Sequence, residues 1–311
     1  LNGAPCGFER NEQSAVQPAH SKGGCAAEET AIMTTLKLWL STIVTTFTSI
    51  GALLVFAIIY AALVLSSWFF ISTREATVRQ VLVTYVLMFA IPALFFIFQA
   101  SIIDRAREQK FRWGTIVIDA IKFFIVAIPI LLLGWLIYYL LNKWQAHHLP
   151  PVVAIPPSAV ETKAQPLHWP SLLFSTLRFA LLGVVLPLAA IHFWIAIAGS
   201  DLRTWIDRGA KPFFQRVGSA LATAFGAESV LIYALGTIVF VVLPYTILFV
   251  PLSPKSNKAD FAAFILRLLL TYIFTLIGWV VTISALTRNA EDPSPAPAPD
   301  RSPAVAVEAA A

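Results

Sequence analysis

Five side chains in this sequence could carry a charge or a mobile proton inside strongly apolar surroundings: Asp119, Lys122, Arg178, His192 and Arg267. Arg178 in "LRFALLGV" (177–184) and Arg267 in "LRLLLTYI" (266–273) occupy similar contexts, and Arg79 in "VRQVLVTY" (78–85) is a third. A guanidinium is a planar fork of donors that suits phosphate or carboxylate, so three converging arginines would hold an anionic solute. The plainer reading is snorkelling, with each stem lying along lipid and each head reaching a lipid phosphate. Arg178 and Arg267 lie roughly two turns inside their apolar runs and are expected to face a bundle interior. Asp119 and Lys122 are three residues apart, so they share a helical face and can pair. Such a pair could serve an ion path, or simply neutralise itself near the headgroups, which is the simpler account. His192, in "PLAAIHFWIAIAG" (187–199), is the deepest titratable group. Titration near neutrality makes it a proton-relay candidate. A hydrogen bond to a neighbouring helix would explain it as well, and more simply.

The elements that hold these residues are long apolar runs. The chain is 58% hydrophobic and only 13% charged over 311 residues, against about 25% charged residues in soluble domains. Six runs read as transmembrane helices, at about 50–71, 80–103, 114–141, 172–198, 229–250 and 261–286. A bilayer leaves the backbone no water to bond with, so such runs are helical, and no barrel-like alternation is visible. The expected fold is therefore all-α, a polytopic membrane helix bundle. Pro92, Pro129, Pro187 and Pro244 fall near the middle of spans two to five. Each removes a backbone bond and crowds the carbonyl four residues earlier, making these positions candidate hinges. Proline is also ordinary in membrane helices. Before the first span, Leu36, Trp39, Leu40, Ile43 and Phe47 fall on one helical face, with Ser41, Thr45 and Thr48 opposite. This segment either extends the first helix or lies at the interface.

Lys and Arg orient the bundle. Arg105, Arg107, Lys110 and Arg112 crowd one connection, and Arg203, Arg208, Lys211 and Arg216 another. The positive-inside bias then puts both termini in the cytoplasm of what reads as a bacterial inner membrane. Trp39, Trp113 and Trp205 fall at the inner interface and Trp68, Trp144 and Trp169 at the outer one. Trp135, Trp194 and Trp279 lie deeper and read as packing residues. Residues 142–171 form an external proline-rich loop, and 291–311 a disordered Pro/Ala-rich tail. Residues 1–32 read as a disordered extension upstream of a start at Met33.

The least apolar internal connection, "DRGAKPFFQRVGSALATAFGAES" (207–229), carries a helical stripe of Phe214, Val217, Leu221 and Phe225. It is expected to be an amphipathic helix, 212–225, lying on the cytoplasmic membrane surface. No protease, hydrolase, nucleotide-binding or paired-carboxylate motif is visible. Cys6 and Cys25 lack a metal-ligand spacing, and His147, His148 and His168 lack a fixed geometry. No cofactor, metal or nucleic acid is expected. The expected partner is the lipid bilayer, with a second copy or a partner membrane protein as an alternative. The leading functional expectation is a small transporter-like or channel-like protein for an anionic or amphipathic solute. A non-catalytic membrane subunit and a lipid-modifying enzyme follow it.

Overall fold

The computed structural model describes residues 22–73, 77–148, 169–198, 200, 210–250 and 257–291. Eight helices follow in chain order: α1 (Lys22–Thr48), α2 (Ile50–Ser72), α3 (Val78–Glu108), α4 (Trp113–His148), α5 (Trp169–Ile197), α6 (Ala210–Ala224), α7 (Ala227–Phe249) and α8 (Asn257–Glu291). Six of them, all but α1 and α6, are long and apolar enough to cross a membrane. They coincide with the six runs read from sequence, and the described residues contain no strand. The protein is a multi-pass membrane helix bundle.

Helix boundaries have local causes. Thr77 caps α3: its hydroxyl accepts the Gln80 N–H at 3.3 Å and lies 3.0 Å from the Gln80 side-chain oxygen. Thr77 is thus an N-cap whose hydroxyl accepts from the Gln80 backbone and donates to its side chain. Gln109 ends α3 in the left-handed region, φ 57°, returning its N–H to Arg105 O. Asp104 then accepts the Arg112 N–H at 3.0 Å, which fixes the turn into α4. The segment before the first span is a separate helix, because Ser49 (φ −94°, ψ 64°) breaks the chain between α1 and α2. α1 takes in residues 22–32, part of the segment expected to lack fixed structure.

The four span prolines are handled in two ways. Pro92 and Pro129 sit inside uninterrupted α-helix. Pro187 and Pro244 each follow a turn of π-helix, Ala180–Val185 in α5 and Ile238–Val242 in α7. The wider turn accommodates the residue that proline crowds. The carbonyl four residues before Pro187 belongs to Gly183, and it accepts the Tyr233 hydroxyl of α7 at 3.0 Å. A bond that proline removed within α5 is thus replaced from α7. Tyr233→Phe should lower stability by about 0.6–1.7 kcal/mol, the range for interhelical bonds in membranes. Denaturant unfolding in micelles would measure it.

α8 is the hub and packs against α1, α2, α3, α5 and α7. Buried residues gather at one end of the bundle, near Arg105 and Arg107: Phe98–Asp104 in α3, Leu188–Ala198 in α5 and Val280–Thr287 in α8. At the opposite end Trp68, Trp144 and Trp169 are exposed, as an interfacial belt requires. Trp194 and Trp279 are packed as expected, but Trp135 is an exception. It is 65% exposed and stacks on Tyr139 at the surface of α4, because a lipid-facing ring needs no protein partner.

α6 is helical over the expected segment, and it packs on the second half of α5. Ala220 and Ala224 are buried, Val217 and Leu221 are half-buried, and Phe225 is exposed. α6 is therefore most buried at Ala220 and Ala224, and the described residues of the stripe are only partly covered. The Phe214 side chain lies outside the described ones.

Candidate functional site

The residues singled out from sequence act chiefly as locks on helix ends. Arg178 donates to Asn142 Oδ1 at 2.7 Å and to Gln145 Oε1, and its guanidinium lies 5.5 Å from the Tyr138 ring centre. It is half-buried, and its polar contacts are with the end of α4. Arg267 donates to Leu248 O at 3.4 Å and to Val250 O, capping the end of α7. A cation there satisfies carbonyls that the helix leaves unpaired and complements its dipole. The two arginines serve different helix ends, and no described contact joins them. Among the described contacts the two do not share a site, which leaves the convergence on one anion, the alternative to the plainer snorkelling reading, without a contact to support it. The cause is local: helix-end carbonyls and amides near each arginine already supply its acceptors.

Asp119 and Lys122 pair at 2.9 Å, with Asp119 buried. Lys122 also donates to Ser200 O at 2.8 Å. From α3, Arg107 donates to Ile195 O at 2.7 Å and to Ala198 O. Its Nε lies 2.9 Å from Glu291 at an angle too poor for a hydrogen bond. Two cations from two helices thus hold carbonyls at and just beyond the end of α5. His192, one turn earlier, is buried, and its Nε2 has no partner among the described residues. A relay needs a second group within reach of the proton, and none is described at Nε2.

Two cavities are better placed to receive something. One, of about 470 Å³, lies between α3 and α4 beside Pro92 and is lined by apolar side chains such as Phe89, Phe96, Val117 and Phe124. Lipid chains are sufficient to fill it. The other, of about 200 Å³, is polar and lies between α1, α2, α3 and α8. Arg105 and Arg288 line it together with Thr46, Ser49, Gln109 and Ser284.

No protein-family model, curated protein or solved structure matches this chain.

The site therefore rests on its own geometry. Arg105 Nη2 donates to Ser49 Oγ at 2.7 Å, and its guanidinium lies 6.0 Å from the Phe111 ring centre. Arg288 Nη1 donates to Thr42 Oγ1 at 3.4 Å. Both partners are neutral hydroxyls. Arg107, Arg112 and Lys122, by contrast, each have a carboxylate. Among the described residues, neither Arg105 nor Arg288 has one. Sequence reading counted Arg105 only as an orienting charge and passed over Arg288. The available signal was the run of hydroxyls at Thr42, Thr45, Thr46, Thr48 and Ser49, beside one arginine from each of two other helices. No group of three or more potential metal ligands occurs among the described residues.

Proposed function

We propose that the protein binds, and in a transporter-like cycle moves, a small anionic or amphipathic solute, with its site in the cavity between α1, α2, α3 and α8. The observation that carries this reading is the pair of half-buried guanidiniums, Arg105 and Arg288, lining one cavity without a carboxylate between them. Like charges sharing a poorly solvated space repel, and an anion entering it relieves both. The Lys- and Arg-rich end of the bundle is read as cytoplasmic, because the positive-inside bias sets orientation. On that orientation the cavity opens at the inner leaflet. α6 then lies at the inner surface with Phe225 toward the headgroups, where anionic lipid attracts basic segments.

The full chain in neutral micelles should bind a single-chain anionic amphiphile and discriminate against cationic and uncharged probes of the same chain length. Arg105→Gln and Arg288→Gln should each weaken that binding by roughly tenfold, the loss of one charge-assisted interaction. Equal binding of all three probes, or binding indifferent to both substitutions, would remove the reading. Flux across reconstituted vesicles then separates movement from binding alone.

A further inference from the structure

We propose that the occupant of this cavity is a phosphate group, and that its apolar surroundings point to a phosphate borne on a lipid headgroup. This deepens the proposed function and rests on it. The first argument is donor number. A carboxylate presents two oxygens with about four acceptor sites, which two bidentate guanidiniums from α3 and α8 would use up. The cavity offers more. Ser49 and Ser284 bring hydroxyls to its lining, while the Thr46 and Thr48 hydroxyls already donate to carbonyls of their own helix. Ser49 and Ala52 also line it, so the first turn of α2 forms one wall. Ser49 makes no side-chain cap. The N–H groups of that turn are therefore left for another acceptor. Several peripheral oxygens in a tetrahedral array match such a surround better than a planar anion does.

The second argument concerns the tail. The helices that form the cavity expose large apolar side chains beside it: Val44 and Phe47 on α1, and Ile50, 70% exposed, with Leu54 on α2. In a bilayer these side chains face acyl chains. A headgroup held by Arg105 and Arg288 can leave its chains along this surface without desolvating anything polar. A free ion gains nothing from the same surface.

The test compares four ligands on the purified full chain in neutral micelles: a phosphomonoester lipid, a carboxylate and a sulfonate of the same chain length, and inorganic phosphate. Native mass spectrometry and ligand-induced thermal shift read the binding. The phosphate lipid should bind roughly tenfold or more tightly than the other amphiphiles, and inorganic phosphate should bind far more weakly. Arg288→Gln and Arg105→Lys should each reduce the lipid-induced shift. Arg105→Lys keeps the charge and its bond to Ser49 within reach, so the test survives if a neutral substitution at 105 fails to fold. Inorganic phosphate binding as well as the lipid would overturn the lipid assignment. Equal binding of the three anionic lipids, still dependent on the arginines, would overturn the phosphate assignment and leave the wider anion reading standing. Binding of no anion in an arginine-dependent way would overturn both.

Discussion

Gly236→Ala should destabilise the bundle by about 1–3 kcal/mol or more, the cost of overfilling a packed core. Gly236 lies where α7 crosses α8. A Cβ there would come within 2.7 Å of Thr282 Cγ2 and overlap the Thr282 hydroxyl. Thr282 has little freedom to retreat. It is fully buried, and its hydroxyl donates to Gly278 O at 2.6 Å. A β-branched side chain in a helix is also confined in χ1. The crossing is tight in both directions, since a Cβ on Gly278 would sit 2.9 Å from the Phe240 backbone nitrogen. Small residues let membrane helices approach in this way. Unfolding in mixed micelles measures the loss. Thr282→Ala in the Gly236→Ala background should restore part of it, since it removes the two closest atoms but leaves a Cβ at 2.9 Å, and residues in contact do not behave additively. A Gly236→Ala protein as stable as the parent would show that α7 and α8 do not approach so closely.

Lys122→Met should cost roughly 3–5 kcal/mol, the penalty for removing one partner of a buried ion pair. Two losses combine. The buried carboxylate of Asp119 keeps no cation at 2.9 Å, and Ser200 O loses its donor. Asp119→Asn with Lys122→Met removes both charges and should recover part of the stability, leaving the loss at Ser200. Denaturant midpoints of the parent, the single and the double variants decide this. A double variant less stable than Lys122→Met alone would mean that Asp119 has another partner.

The spans were legible because membrane length and backbone hydrogen bonding constrain them strongly, and each long apolar run became a spanning helix. Facing was not. A helix apolar on every side has no stripe to say which face meets protein. In this bundle the buried faces mix large residues such as Phe98, Phe123, Leu188 and Leu286 with small and hydroxyl ones such as Ala100, Ser101, Gly236, Thr282 and Ser284, so side-chain type does not mark them, and in places the usual pattern is inverted. α1 shows the inversion most clearly. Its apolar residues at 36, 40, 44 and 47 are exposed, while Thr35 and Thr42 are buried. The pairing of Asp119 with Lys122 could be read because it is local to one helix. The meeting of Arg105 and Arg288 could not, since it joins α3 to α8 across most of the chain.

The hub position of α8 sets a schedule. Gln99 accepts from Trp279 at 3.0 Å, Ser229 from Asn289 at 3.3 Å, and Thr42 from Arg288 at 3.4 Å. In each pair the second residue belongs to the last of the described helices to leave the ribosome. Until it packs, Gln99, Ser229 and Thr42 lack these partners, whereas Asp119 and Lys122, paired within one helix, do not depend on it. The cavity between Arg105 and Arg288 is complete only once that last helix has packed, because Arg288 comes from it.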